Sequence, residues 1–263
     1  MGHLHCDVFN QDRFLINGVD LRLRLIRSSN EFCLLDISDD GKFSINLTEA
    51  SLIIRRVKIS PGVLLAHANT LAKSTAKYPI CRVEVKTFTL HTSVNGETID
   101  NVILGVLPKR LIIGFVENKA FNGDRKKNPF NFQHFGLNYL SLHVDGHQIP
   151  NRPLQPNFEG NNATYVDSYL TLFTGGGIHF LNEGNGIDRE AYSKGYSLFA
   201  FDLTPDLSAN FTSHWNLVKH GTIRLEVRFA KALDLTVNCV VYAEYDNLIE
   251  IDSSRQVVAD FNS

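Results

Sequence analysis

Apolar and polar positions alternate over much of the chain. Leu21-Arg22-Leu23-Arg24-Leu25-Ile26-Arg27 sets leucines on one side and arginines on the other, which predicts a strand with one wet face. Ser44 to Ile59 carries Ile45, Leu47, Leu52 and Ile54 with a register change midway. That pattern predicts a strand pair or one long strand bent at a bulge. Ser60-Pro61 then offers an N-cap followed by proline at the first helical position, so a short helix is expected over Gly62–Ser74. Lys77-Tyr78-Pro79 ends it, because a residue before proline is pushed out of the helical region. Strand patterns resume at Ile80 and run through Arg82–Leu90 and Leu107–Glu117. Residues 118–133 are polar and read as a loop, and Leu137–Ile149 as a hairpin turning at Asp145-Gly146.

Residues 150–195 hold Pro150, Pro153, Pro156 and the triplet Gly175-Gly176-Gly177. The segment is expected to be mostly loop, with a short strand at Tyr169–Phe173 and a helical turn at Asp188–Ser193. A connection of that length is usually functional or an exposed tower. Tyr196–Leu203 predicts a strand ended by Thr204-Pro205. Ile223, Leu225, Val227 and Phe229 form one apolar face, and Leu235, Val237, Cys239, Val241, Ala243 and Tyr245 another. Two such strands joined at Ala230–Asp234 are expected to form a hairpin. No repeat at a solenoid period is present.

Composition agrees with an all-β chain. Eighteen Phe and eight Tyr stand beside one Trp and one Met, and aromatic residues favour pleated, half-buried surfaces. Asn17-Gly18, Asp40-Gly41, Asn95-Gly96, Asn122-Gly123 and Asp145-Gly146 are turn dipeptides, and many short strands between such turns point to a sandwich or barrel. With 263 residues, 43% hydrophobic and 21% charged, there is material for a packed core. The formal net charge of −2 argues against wrapping nucleic acid by charge alone. No apolar run approaches the roughly 20 residues of a membrane helix. The first residues have neither a basic nor an apolar signal region, and Cys6, Cys33, Cys81 and Cys239 are widely spaced, so the expectation is an intracellular chain with reduced thiols.

Candidate chemistry is sparse. His3, His5 and Cys6 could share a metal, but no fourth ligand is identifiable. His143 and His147 flank the Asp145-Gly146 turn, where a histidine pair could hold a metal or move protons. The glycines at 175–177 and 184–186 follow neither phosphate-loop pattern. GxSxG, HExxH and calcium-loop spacings are absent; Asp36, Asp39 and Asp40 read as a polar turn. Asn46, Asn162 and Asn210 match glycosylation sequons and are taken as chance matches. Among the basic clusters, Arg55-Arg56-x-Lys58 and Lys109-Arg110 suit a solvated strand edge. Arg125, Lys126 and Lys127 are the candidates for contact with phosphate. No catalytic residue, metal site or cofactor is expected, and no enzyme is demanded.

Several segments in order carry a family resemblance. They are Lys109–Gly114 with Phe130-Asn131-Phe132, Leu140–Pro150, Tyr196–Phe201 with Pro205 and Asn216-Leu217, and Gly221–Ile251 with its Val241-Tyr242-Ala243-Glu244-Tyr245-Asp246-Asn247-Leu248 ending. Phe9–Arg13, Pro129–Phe132, Leu154-Gln155-Pro156 and Phe201–Asp206 add to them. Together they resemble the double jelly-roll major capsid proteins of large DNA viruses and of Polinton (Maverick) elements, and most nearly the Polinton-derived proteins of invertebrate genomes. The likeness runs over most of residues 4–258, through short motifs whose order matters more than any one of them.

The resemblance implies a jelly-roll β-sandwich, the C-terminal roll of a double jelly-roll, preceded by a partial N-terminal β unit. Residues 1–60 would be the last strands of a first roll, 61–79 a helical connector, 80–252 the second roll and 253–263 a tail. The implied role is structural: a capsid or capsid-derived protein of a virus-like transposon, associating into trimeric capsomers and with other capsid proteins. It would be intracellular before assembly and in the virion afterwards, with no specific nucleic acid as partner. Loops 118–135 and 150–195 are the expected subunit contacts, through Phe121, Phe130, Phe158, Tyr165 and Phe173, because loop aromatics anchor protein interfaces. Those rings fit equally well tucked into the sandwich. A ligand- or carbohydrate-binding jelly roll using Trp215, His214 and Tyr196 is the alternative, and a cupin-like metal site at His143 and His147 a third reading.

Overall fold

The computed structural model describes residues 2–38, 41, 43–160, 163–179, 181–211 and 218–259. Eight strands build the body: β1 (Ala76–Leu90), β2 (Gly96–Val106), β3 (Arg110–Glu117), β4 (Leu137–Val144), β5 (His147–Leu154), β6 (Leu198–Asp202), β7 (His220–Phe229) and β8 (Val237–Ile251). A short β9 (Val257–Ala259) pairs with the end of β8. One sheet has the order β1-β8-β3-β6 and the other β2-β7-β4-β5. Every link between consecutive strands from β1 to β8 changes sheet, except the tight β4–β5 turn. That strand order is a jelly roll, so the chain is an all-β sandwich of this type.

Alternation explains the core. Leu111, Ile113 and Phe115 of β3 point inward opposite Ala243, Val241 and Cys239 of β8, and Leu111 and Ile113 also face Phe201 and Phe199 of β6. From the other sheet come Ile223, Leu225, Val227 and Phe229 of β7, with Leu140 and Leu142 of β4 and Ile99 and Ile103 of β2. Phe115 bridges the sheets: its ring meets Phe199 edge-on at 6.3 Å and Phe229 at 6.0 Å. Full burial of each of the Leu, Ile, Val and Phe side chains contributes about 1.5–3 kcal/mol.

The outer strands of the second sheet are blunted. β5 carries Pro150 and Pro153, which cannot donate to a ladder. β2 shifts register between Ile99 and Ile103, with Asn101 at a φ of 52°. In the other sheet β6 is flanked by a helix, α4 (Val166–Gly176). The β4–β5 turn has φ of 50° at Asp145 and 82° at Gly146, the positive pair of a tight hairpin.

Among the described residues the helices are α1 (Asn30–Cys33), α2 (Pro61–Leu71), α3 (Asn118–Asn122), α4 (Val166–Gly176) and α5 (Arg189–Ser193), with a 3-10 turn at Asp7–Phe9. α2 forms where Ser60-Pro61 predicts it. α5 matches the expected turn, with the Asp188 carboxylate accepting from the Ala191 N–H at 2.6 Å.

Internal contacts divide the chain into two units, Met1–Arg27 with Ser44–Arg82 and Asp246–Asn262, and Ser28–Phe43 with Val83–Tyr245. Within the first, Arg13 Nη1 donates to the Lys77 carbonyl at 2.8 Å, the Cys81 N–H donates to the Asp7 carboxylate at 2.7 Å, and the Tyr78 hydroxyl donates to the Phe14 carbonyl at 3.1 Å.

Four expectations need correction. Residues 21–27 and 44–59 belong to no strand, and Leu25, Ile26, Leu47 and Ile53 are exposed. Alternation selects a face, but a strand also needs a neighbour for its backbone groups. Tyr169–Phe173 lies in α4 rather than in a strand. Its buried residues Ser168, Thr171, Leu172 and Gly175 repeat at helical spacing. Residues 147–154 continue as a strand past the first proline, because an edge position tolerates it. Finally, β7 and β8 are not a hairpin: β7 pairs with β2 and β4, and β8 pairs with β3. Their apolar faces meet across the core instead of lying side by side.

Candidate assembly surface

The long connections form two decorated regions of the second unit. Residues 118–135 leave β3 through α3 and return beside β6. Asn118 Nδ2 donates to the Asn238 side-chain oxygen at 3.0 Å, anchoring α3 to a buried residue of β8. The Phe132 N–H donates to the Gly195 carbonyl and the Ser197 N–H to the Phe132 carbonyl, each at 2.9 Å. Gly114 makes room for this return, since a Cβ there would lie 2.7 Å from the Phe132 ring. A cleft of about 300 Å³ sits under the loop, lined by Glu117, Lys127, Asn131 and Phe135 among others.

The three basic candidates here all interact within the fold. Arg125 donates to the Gly41 carbonyl at 2.9 Å and the Phe43 carbonyl at 3.1 Å, and lies 3.6 Å from the Glu31 carboxylate. The Arg125 carbonyl also accepts from the Asp36 N–H at 2.8 Å. Glu31 is held below the usual carboxylate range by its own backbone N–H, by Ser29 and by the Arg125 charge. Lys127 pairs with Glu117. Lys126 is exposed at the mouth of the cleft. Arg125 therefore ties Glu31, Asp36, Gly41 and Phe43 to the roll.

Residues 155–197 carry α4, α5 and an aromatic stack. His134 lies flat on Phe158, with centroids 4.1 Å apart and planes 4° from parallel; Phe158 in turn stacks on Tyr165 at 5.0 Å. Tyr192 stands behind both and meets Tyr169 edge-on at 5.4 Å. Arg189 sits over the Tyr165 ring at 5.3 Å. The His134 Nδ1 accepts from the Gly136 N–H at 2.9 Å, which requires a neutral ring. Burial pushes the His134 pKa below its ordinary value, opposed by the Glu159 charge. Tyr192 is fully buried, its hydroxyl has no hydrogen-bond partner among the described residues, and burial pushes its pKa far upward.

The five aromatic candidates thus separate. Phe158 and Tyr165 form the stack, and Phe173 packs edge-on to Tyr169 at 5.3 Å beside the small cluster of Leu172, Tyr192 and Ala200. Phe121 is half-buried on α3. Phe130 alone of the five projects, 62% exposed, with Phe32 edge-on at 5.8 Å. Beyond α4 there is an open groove of about 350 Å³, lined by Leu170, Phe173, Ile178 and Leu181 with Thr174 and Glu183. The groove exists because 169–173 is helical, and the spacing of the buried residues 168, 171, 172 and 175 is its signal in the sequence.

The other candidates do not converge. His143 is opposite Gln148 and Val144 opposite His147, so the two histidines lie on opposite faces of the hairpin. His143 Nε2 is instead 3.0 Å from the Ser141 hydroxyl. Tyr196 is exposed, while Trp215 and His214 lie outside the described residues, as do Asn216-Leu217, Asp39, Asp40 and Asn162. Among the described residues no group of three or more His, Cys, Asp or Glu is placed to hold a metal. No described helix is long and apolar enough to cross a membrane.

No family model matches the chain. It is similar to the uncharacterized protein F54H12.2 of Caenorhabditis elegans, 28% identical over 265 residues, covering 98% of this chain and 62% of the relative. The chain thus spans less than two thirds of that relative's length. Among solved structures, a chain of the Sputnik virophage overlaps 71% of this chain and 39% of its own, at 14% identity and a TM-score of 0.46. The PBCV-1 virus capsid overlaps 76% and 55%, at 8% identity and 0.43. The mavirus major capsid protein overlaps 71% and 41%, at 10% identity and 0.39. What the strand pairing itself shows is an all-β jelly-roll sandwich with two loop-built surfaces.

Proposed function

We propose that the chain is a capsid or capsid-derived structural protein of a virus-like DNA transposon, without catalytic function, which self-associates into trimeric capsomers. The overlap with solved capsid chains is too partial to carry this reading. It rests on the jelly-roll order β1-β8-β3-β6 over β2-β7-β4-β5, a rigid brick whose long connections stand out as contact surfaces. In this reading residues 80–252 are the second of two rolls, 61–79 the connector and 253–263 the tail. Residues 1–60 correspond to the last part of a first roll, although the described residues among them form no strand. The chain is intracellular before assembly and enters a particle with other capsid proteins. Light scattering coupled to size exclusion over a tenfold concentration range tests the reading. A discrete species at three times 29.6 kDa supports it. A monomer throughout overturns self-association, and unbounded aggregate overturns the discrete capsomer.

A further inference from the structure

We infer that the second half of β1 is a twofold contact between copies of this chain, residues 83–87 of one copy adding antiparallel to residues 83–87 of another. The contact goes beyond the trimer reading and does not require it.

The two sheet paths end on four strands, and three of these ends are blunted. β5 carries prolines, β2 shifts register, and β6 lies against α4. β1 is different. Over its first half, Arg13 and Gln11 donate to the Lys77 and Pro79 carbonyls, and the Cys81 N–H donates to Asp7. Past that point β8 is its one strand neighbour among the described residues. Residues 83–90 make no backbone hydrogen bond outside that ladder among the described residues. Val83 and Val85 stand 45% and 56% exposed, and no proline interrupts the stretch. Such an edge is a template for another strand.

The stretch is complementary to itself, which is what an isologous contact requires. Antiparallel pairing centred on Val85 sets Val85 opposite its own copy, Val83 opposite Thr87, and Glu84 opposite Lys86 twice over. Unlike charges directly opposite stabilise a sheet and like charges destabilise it. Glu84 and Lys86 lie 3.5 Å apart within one chain, so pairing gives each an unlike neighbour across the axis as well. Arg82, engaged within its own chain, falls opposite Phe88. Other centres fit worse. Centring on Glu84 sets Glu84 against itself and Arg82 against Lys86, and centring on Lys86 sets Lys86 against itself. Centring on Thr87 pairs no unlike charges. Centring on Val83 carries the pairing to residue 81 and beyond, where Asp7, Gln11 and Arg13 already sit.

Light scattering of the full chain over a range of concentrations tests the contact. Five paired residues make a weak interface, so concentration should double the mass of whatever species stands at the dilute end. Glu84→Lys and Lys86→Glu each put like charges across the axis and should weaken the doubling at least tenfold; circular dichroism checks that each variant folds. Mixed one to one, the two variants face unlike charges at both pairs and should recombine into a species holding equal amounts of each. The double variant Glu84→Lys, Lys86→Glu should associate like the wild type. Single variants that double like the wild type overturn the inference, as does a mixture that fails to recombine. A wild-type mass that never doubles also overturns it, and leaves the trimer reading standing if that mass is three times 29.6 kDa. A monomer that doubles on concentration supports the contact and fails the trimer reading instead.

Discussion

Gly175 of α4 lies against Ala200 of β6 so closely that a Cβ on residue 175 would sit 2.5 Å from the Ala200 Cβ and 2.8 Å from its carbonyl oxygen. At this contact the Ala200 N–H donates to the Thr171 hydroxyl at 3.3 Å, and that hydroxyl donates to the Ser168 carbonyl at 2.6 Å. The helix thereby occupies backbone at the flank of β6 that would otherwise be open to another strand.

Gly175→Ala should therefore destabilise the protein by about 1–3 kcal/mol, the usual cost of overpacking, in spite of alanine's better helix propensity. Gly176→Ala is the control. Its Cβ would meet nothing nearer than Ile178 at 3.9 Å, so it should be neutral or stabilising by up to about 1 kcal/mol. Urea denaturation of the two variants checks the opposite signs.

Tyr192→Phe should raise stability by about 1 kcal/mol, because the buried hydroxyl has no partner among the described residues while the ring packs on Phe158, Tyr165, Tyr169 and Phe199. Thermal unfolding reads the effect, and a fall in Tm would show that the hydroxyl is satisfied.

His134 couples the stack to pH. Its folded pKa lies below the ordinary 6.5, so the unfolded chain takes up the proton first as pH falls. The stabilisation is fully present above about 6.5 and is lost as pH drops through the lower folded value. His134→Phe keeps a ring on Phe158 and should flatten the stability profile below pH 6.5, measured by denaturation at several pH values.

Arg125→Ala should loosen the segment at Glu31, Gly41 and Phe43 by removing both carbonyl contacts and the Glu31 pair, leaving the backbone bond from Asp36. Limited proteolysis should cut this segment about tenfold faster, since charge-assisted hydrogen bonds hold local opening in check, while the core unfolds at nearly the same denaturant concentration.

The β class of the protein and the buried face of most strands are written in the residue pattern alone. Ile223 to Phe229 and Val237 to Tyr245 were legible because a period of two records exposure directly. The Asp145-Gly146 turn and α2 were legible because their signals are local: positive φ in one, an N-cap with proline in the other. Tertiary structure decided what alternation cannot encode, namely which strand lies next to which. β7 and β8 look like a hairpin because the same inward face serves a neighbour in the sheet or a partner across the core. Leu21 to Arg27 looks like a strand, yet a strand exists only where another backbone accepts its hydrogen bonds. The aromatic stack around His134, Phe158, Tyr165 and Tyr192 and the groove beside α4 were also beyond reading from the chain, because their members come from segments up to 58 residues apart and meet only once the two sheets have closed.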